Sequence, residues 1–270
     1  MTPIAGAFAR ARGEGRAAFV AYLTAGDPSP EATVGLARAL ARSGTDVLEL
    51  GVPFSDPIAD GPVLQRAAFR ALATGTTLAT VFAIARRIRA EASLALVLFS
   101  YVNPILRHGV SRAADDARAA GIDGVLLTDV PPEEAHDIQP VFRKAGLDTI
   151  FLVSPTSTSR RMREAARLSS GFLYVVSRLG TTGARAALPA DLERTVARAR
   201  RSAGELPIAV GFGISTPETA RRAARLADGV VVGSALVRAA EAAGERREEA
   251  VASLARSLVA ACGRGRESPE

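Results

Sequence analysis

One lysine (Lys144), one cysteine (Cys262) and two histidines (His108 and His136) are the whole supply of three reactive residue types in this 270-residue chain. A lone cysteine excludes an internal disulfide and any cysteine-based metal site, and Cys262, in a C-terminal helical pattern, reads as small apolar filler. Schiff-base chemistry needs a lysine inside the fold, whereas Lys144 stands at a helix end beside Gly146. A metal-dependent lyase needs several histidines or a tight carboxylate set; two histidines far apart in sequence read as surface residues. Neither is placed at a strand end to activate a serine. The first strand ends in Thr24-Ala25-Gly26-Asp27-Pro28, not in a glycine-rich dinucleotide turn. No run of 18 apolar residues occurs, and Met1-Thr2-Pro3-Ile4-Ala5 lacks a charged start followed by an apolar stretch, so no membrane span or secretion signal is indicated. A cytoplasmic location is expected.

What is abundant is arginine. The net charge of +6 comes from 34 basic against 28 acidic residues. The arginines alternate with acids and alanines, as in Arg86-Arg87-Ile88-Arg89-Ala90-Glu91, which is the pattern of a solvated helix face. No aromatic residues interleave with them to make a stacking platform, so nucleic acid is not an expected partner. A modest positive field suits an anionic metabolite.

Hydrophobic content of 48% is ample for one large core. Short β-branched or leucine-rich runs recur at Phe19–Leu23, Val47–Gly51, Leu94–Phe99, Gly124–Thr128, Thr149–Val153, Phe172–Val176, Ile208–Gly211 and Val230–Gly233. Between them lie segments of helical spacing, among them Glu31–Arg42, Leu78–Glu91, Arg112–Ala120, Glu133–Ala145 and Leu192–Ser202. Eight alternations with no linker between halves predict an α/β fold: a single (β/α)8 TIM barrel, a fold that commonly runs to roughly 250 residues. An open doubly wound sheet is the alternative. Residues 5–11 are expected to form a short extra helix plugging the barrel bottom, and the tail after Gly263 to fray.

The densest information lies in Leu48 to Pro62. Val47, Glu49 and Gly51 share one strand face while Leu48 and Leu50 point to the other, which sets a carboxylate among β-forming apolar neighbours. Burying it is destabilising unless the group has a partner or a task. Beyond the strand, a loop stiffened by Pro53, Pro57 and Pro62 carries a second carboxylate, Asp60, beside Gly61. A purely structural account pairs Glu49 with an arginine and makes Asp60 the cap of a helix starting near Pro62. Convergence of both acids on one strand end favours catalysis. Desolvation should raise the pKa of Glu49, leaving it the proton donor and shuttle, while Asp60 on the loop stays ionised.

After the seventh predicted strand come Gly211-Phe212-Gly213-Ile214-Ser215-Thr216-Pro217-Glu218, where Ser215 with Glu218 has capping-box spacing and Thr216-Pro217 offers another cap. After the eighth, Gly233-Ser234 opens a helix. Backbone N–H groups at such glycines and helix starts can hold a phosphate without a lysine, on the loops that grip phosphate in barrels of this kind. Gly180 to Gly183 supplies a third donor segment and suits a lid. With lysine, metal, serine and dinucleotide routes closed, proton transfer by carboxylates on a substrate that supplies its own electron sink is what remains.

Leu48 to Gly51, Pro53 to Pro57 and Ala59 to Pro62, followed by Gln65, resemble the signature of the tryptophan synthase alpha chain family. Gly26-Asp27-Pro28, Tyr101 with Asn103, Asp129-Val130-Pro131, Ser177-Arg178 with Gly180, Thr182 and Gly183, Gly211 to Ser215, and Gly233-Ser234 match as well, covering residues from about 19 to 238. The resemblance implies retro-aldol cleavage of indole-3-glycerol phosphate to indole and glyceraldehyde 3-phosphate, with Glu49 as acid and base and Asp60 facing the indole nitrogen. Tyr22, Tyr101, Asp129, Tyr174 and Phe212 are candidates for the ring pocket and its polar rim. Gly183, Gly213, Gly233 and Ser234 match the family's phosphate contacts; Asp56 and Thr182 match a link between two mobile loops, and Pro53 a position near a partner surface. The resemblance further implies no cofactor in this chain, a tryptophan synthase beta chain as partner in an alpha2beta2 heterotetramer, and pyridoxal phosphate on that partner. Two other functions remain open from the residues alone: a phosphosugar isomerase and a non-catalytic phosphate-binding subunit.

Overall fold

The computed structural model describes residues 1–176, 191–211 and 213–263. Nine strands, β1 (Ala18–Thr24), β2 (Val47–Gly51), β3 (Ala95–Ser100), β4 (Gly124–Leu127), β5 (Asp148–Ile150), β6 (Leu152–Val153), β7 (Leu173–Val176), β8 (Ile208–Gly211) and β9 (Gly229–Val232), form one parallel sheet. Its order is β5-β4-β3-β2-β1-β9-β8-β7-β6, so the two ends are consecutive pieces of chain separated by Phe151 alone. The expected fifth strand is thus present but split, and the Phe151 carbonyl still accepts the Tyr174 N–H at 3.1 Å. The open-sheet alternative falls: this is the predicted TIM barrel, nearly closed.

Alternation sorts the side chains. Leu48 and Leu50 join Phe19, Ala21, Leu96 and Leu98 in the layer between barrel and helices, while Val20, Tyr22, Val47, Val97, Phe99, Leu126 and Tyr174 form the barrel interior. Strands buried on both faces read as continuous apolar runs, which is why they were legible. The extra helix spans Pro3–Gly13, capped by the Thr2 hydroxyl accepting from Ala5 N, and is longer than residues 5–11. It closes the bottom with Ile4 and Phe8, whose ring centroid lies 5.3 Å from that of Phe172.

The same end carries a repeated clasp. Asp46, Asp123 and Asp228, each just ahead of a strand, accept the backbone N–H of Phe19, Leu96 and Ile208 on the preceding strand at 2.8, 2.9 and 2.9 Å. Arg16, Arg89 and Arg200 pair with the three carboxylates, each at 2.6 Å. Ser170 Oγ fills the fourth position, taking Thr149 N–H at 3.1 Å.

Leu78–Glu91 is helical as predicted; Glu31–Arg42, Arg112–Ala120 and Leu192–Ser202 become Pro30–Arg42, Val110–Ala119 and Leu192–Ala203. Glu133–Ala145 is a correction. It breaks into a 3-10 turn, Pro132–Glu134, and a short helix, Gln139–Lys144, because Pro140 has no N–H to donate to an earlier carbonyl and is accepted only in a helix's first turn. Lys144 and His136 are exposed, whereas His108 is half-buried with Nε2 2.7 Å from Asp116. Cys262 is buried, and burial pushes its thiol up to about 12. The tail after 263 lies outside the described residues.

Candidate active site

At the C-terminal strand ends the β2 loop does not lead straight to its crossover helix. It first forms the helix Pro62–Ala73, bent 99° from Leu78–Glu91, and this inserted helix places Val63, Leu64 and Ala67 in the same apolar cluster as Tyr22 and Phe99. Glu49 lies beneath it. In register it sits between Tyr22 on β1 and Val97 on β3. It is 1% exposed, and its Oε1 has no hydrogen-bond partner among the described residues. Desolvation pushes its carboxyl up to about 8, so it is protonated at neutral pH. Among the described residues no arginine pairs with it, so within them the structural account of this residue finds no support.

Asp60 is 7% exposed on the loop above. Burial raises its carboxyl to about 6, against a lowering by the Tyr101 hydroxyl, which donates to Oδ2 at 3.2 Å. It therefore stays mostly ionised at neutral pH. Its carboxylate does not cap the following helix: the N-cap is Gly61, without a side-chain cap bond. Tyr101 also accepts from Ala59 N at 3.0 Å, and Phe54 lies 5.1 Å from its ring, so the Asp60 loop is held against the end of β3. Gln65 Nε2 donates to the Asp60 carbonyl at 2.9 Å.

The predicted pocket residues separate into groups. Tyr22 and Tyr174 are interior and buried; both hydroxyls are pushed upward by desolvation and then by neighbouring carboxylates, Asp60 and Glu49 for Tyr22 and Glu49 for Tyr174. Tyr22 meets Phe99 edge to face at 5.2 Å. Asp129 is exposed, and accepts Val102 N–H at 2.8 Å, holding the turn that carries Tyr101. Asp56 is exposed and takes a 2.5 Å bond from Ser55. Pro53 and Pro57 are buried, so the exposed part of the loop is Ser55, Asp56, Ile58 and Ala59, with Pro62 exposed where the next helix begins. Phe212, Thr182 and Gly183, with the expected lid, lie outside the described residues.

Gly213 adopts φ +85°, and the next helix, Pro217–Leu226, is capped by Thr216 with Thr219 in a reciprocal box. The Thr216-Pro217 cap is the one used; Ser215 with Glu218 does not form a box. Gly233 precedes the helix Ser234–Ala243 with no side-chain cap; the Leu236 N–H is donated to the Gly233 carbonyl at 2.9 Å, and among the described residues those of Ser234 and Ala235 stand open to an anion. Sequence reading missed Phe99 and the Val63-Leu64-Ala67 face, and gave Gln65, named in the signature, no role at the site. Phe99 was detectable, being in phase with Val97 on β3.

Buried proton donor, ionised carboxylate, buried aromatic rings and a helix start without a side-chain cap gather at the C-terminal strand ends, an arrangement suited to acid–base work beside an anion site. Residues 8–262 match the family model described as tryptophan synthase alpha chain. The chain is 54% identical over 241 residues to a tryptophan synthase alpha chain of Solibacter usitatus, covering 89% of this chain and 90% of the relative. It is 52% identical over 238 residues to that of Geobacter sulfurreducens, covering 88% and 90%. Among solved structures, Mycobacterium tuberculosis tryptophan synthase superposes with a TM-score of 0.90 at 35% identity, covering 98% of this chain and 99% of that one. The Legionella pneumophila alpha chain gives 0.89 at 37%, covering 99% of each.

Proposed function

This chain belongs to the tryptophan synthase alpha chain family, and on that footing we propose that Glu49 and Asp60 carry its chemistry. It acts as the alpha subunit in tryptophan biosynthesis, a lyase that cleaves indole-3-glycerol phosphate to indole and glyceraldehyde 3-phosphate. Glu49, neutral at pH 7, gives its proton to indole C3. The resulting iminium charge spreads to the ring nitrogen, where ionised Asp60 stabilises it. The Glu49 carboxylate then takes the proton of the side-chain hydroxyl. As the carbonyl of glyceraldehyde 3-phosphate forms, the C–C bond electrons return to the ring and release indole. Glu49 ends as it began, and no proton is gained or lost overall. A placed acid of this kind is worth about 10²- to 10⁴-fold.

The single observation carrying this assignment is a glutamic acid in the barrel interior, held protonated by burial and with Oε1 unpartnered among the described residues, on the strand whose following loop carries an ionised aspartate. Gly213, Gly233 and Ser234 would hold the phosphate, with Tyr22, Tyr174 and Phe99 against the ring. Incubating purified protein with indole-3-glycerol phosphate should release indole, and Glu49→Gln should abolish release while retaining binding. A rearranged sugar phosphate instead would establish isomerase chemistry, and an unchanged Glu49→Gln variant would leave only a binding role.

The family implies a beta-chain partner. We assign it two copies of each chain, with pyridoxal phosphate on the partner and none here. Ile58, 80% exposed, and Leu106, 51% exposed, follow adjacent strands β2 and β3 and offer an apolar docking face. Sedimentation of the mixed chains tests the stoichiometry. Among the described residues no single helix is long and apolar enough to cross a membrane; a cytoplasmic location is our assignment, checked by fractionation.

A further inference from the structure

Three separate top-side elements meet at one guanidinium. Arg70, on the inserted helix that starts two residues after Asp60, binds Asp27 beyond β1 through two bonds, Nε to Oδ1 and Nη2 to Oδ2, both 2.8 Å. Its remaining nitrogen reaches Glu241 at 2.6 Å. Glu241 belongs to Ser234–Ala243, the helix whose start forms part of the phosphate cradle, and Arg66, one turn back on the inserted helix, reinforces it at 3.1 Å. Asp27 is largely sheltered, its side chain 10% exposed. The β1 loop also packs closely at Gly26, where a side chain would run into the Thr76 hydroxyl just past the end of the inserted helix.

We propose that Arg70 is a positioning residue that fixes the Asp60 segment relative to the phosphate-holding helix, and so sets the distance between the two ends of the substrate site. The inference rests on the function proposed above and adds to it how the acid end and the anion end are kept in register. A guanidinium suits the task because its planar fork satisfies Asp27 with two parallel bonds and still leaves a nitrogen for Glu241. Lysine, a point charge, can serve only one of them well. Among the described residues Arg70 hydrogen-bonds to Asp27 and Glu241, and to neither carboxylate of the reaction nor a phosphate donor. Its effect should therefore appear only with a ligand that spans both ends.

Arg70→Gln and Arg70→Lys should lower kcat/KM on indole-3-glycerol phosphate by about tenfold and about threefold respectively, since small misplacements of reacting groups have effects up to ~10². Affinity for inorganic phosphate alone, measured by calorimetry, should stay within twofold. Asp27→Asn should resemble Arg70→Gln, and the double variant should be no worse than the single, because both remove the same link. Wild-type kcat/KM in Arg70→Gln, equal loss of inorganic phosphate binding, or additive effects in the double variant would each overturn the proposal; if Arg70→Gln does not fold, Arg70→Lys and Asp27→Asn carry the same comparison. Failure of the wild type itself to release indole would strike the function proposed above, a different result from any of these.

Discussion

The Tyr22 hydroxyl fills the space that a side chain on Gly51 would need: a Cβ built there would lie 2.1 Å from Oη and 2.5 Å from Cζ. The pair is diagonal across β1 and β2, since Tyr22 is in register with Glu49, two residues earlier. Tyr174 and Gly211 repeat the relation across β7 and β8, again with 2.1 Å to the hydroxyl. Glycine at these two strand ends is what lets a tyrosine ring lie along the cavity wall over its neighbour.

Gly51→Ala should therefore push Tyr22 off its place beside Glu49. Overpacking of this kind is worth about 1–3 kcal/mol, read as a lowered midpoint in urea, and indole release should fall with it. Tyr22→Phe should not restore the variant, because the clash extends to Cζ. Normal stability and turnover in Gly51→Ala would show that the ring has another position available.

The pH profile follows from the two carboxyls. On the proposed mechanism cleavage needs Asp60 ionised and Glu49 protonated, so kcat/KM should be bell-shaped, rising through about 6 and falling through about 8. The alkaline limb should vanish in Glu49→Gln along with most activity. A profile flat from pH 5 to about 9 would remove both carboxyls from the chemistry.

Tyr101→Phe deletes the hydroxyl that donates to Asp60 and accepts from Ala59 N. The donated bond favours the ionised carboxylate, so its loss should shift the acid limb to higher pH and lower kcat/KM several-fold, by about the 1 kcal/mol of one hydrogen bond. An unchanged acid limb would mean that Tyr101 does not act on Asp60.

Much of this was legible in local pattern. A carboxylate in phase with interior positions of a strand, followed by a proline-stiffened loop bearing another, singles out Glu49 and Asp60 as candidates, and both are buried. Where local signals conflicted, reading failed: apolar spacing at Ala135, Ile138 and Phe142 suggested one helix, and Pro140 divided it. Long-range partners leave no local trace. Tyr101 meets Asp60 across 41 residues and Arg70 meets Glu241 across 171, so neither contact could be read from spacing. The inserted helix Pro62–Ala73 has an apolar face that any surface helix would show, and only the closed barrel reveals that it packs into the interior cluster with Tyr22 and Phe99.

Stability should carry the mark of the same buried acid. Glu49 moves from its ordinary value of 4.5 to about 8 on folding, so the folded chain holds a proton that the unfolded chain gives up between those values. Its favourable contribution is complete below pH 4.5 and is lost as pH rises through 8, the sign being that of a raised pKa. Asp60, raised from 3.8 to about 6, acts in the same direction but over a lower window. Comparing wild type with Glu49→Gln at about pH 6.5 and 8.5 therefore isolates Glu49, and the variant should gain on the wild type by a few kcal/mol, on the order of one to three, at the higher pH. An equal stability difference at both pH values would mean that the glutamate is already ionised in the folded chain, and the proton donor would have to be sought elsewhere.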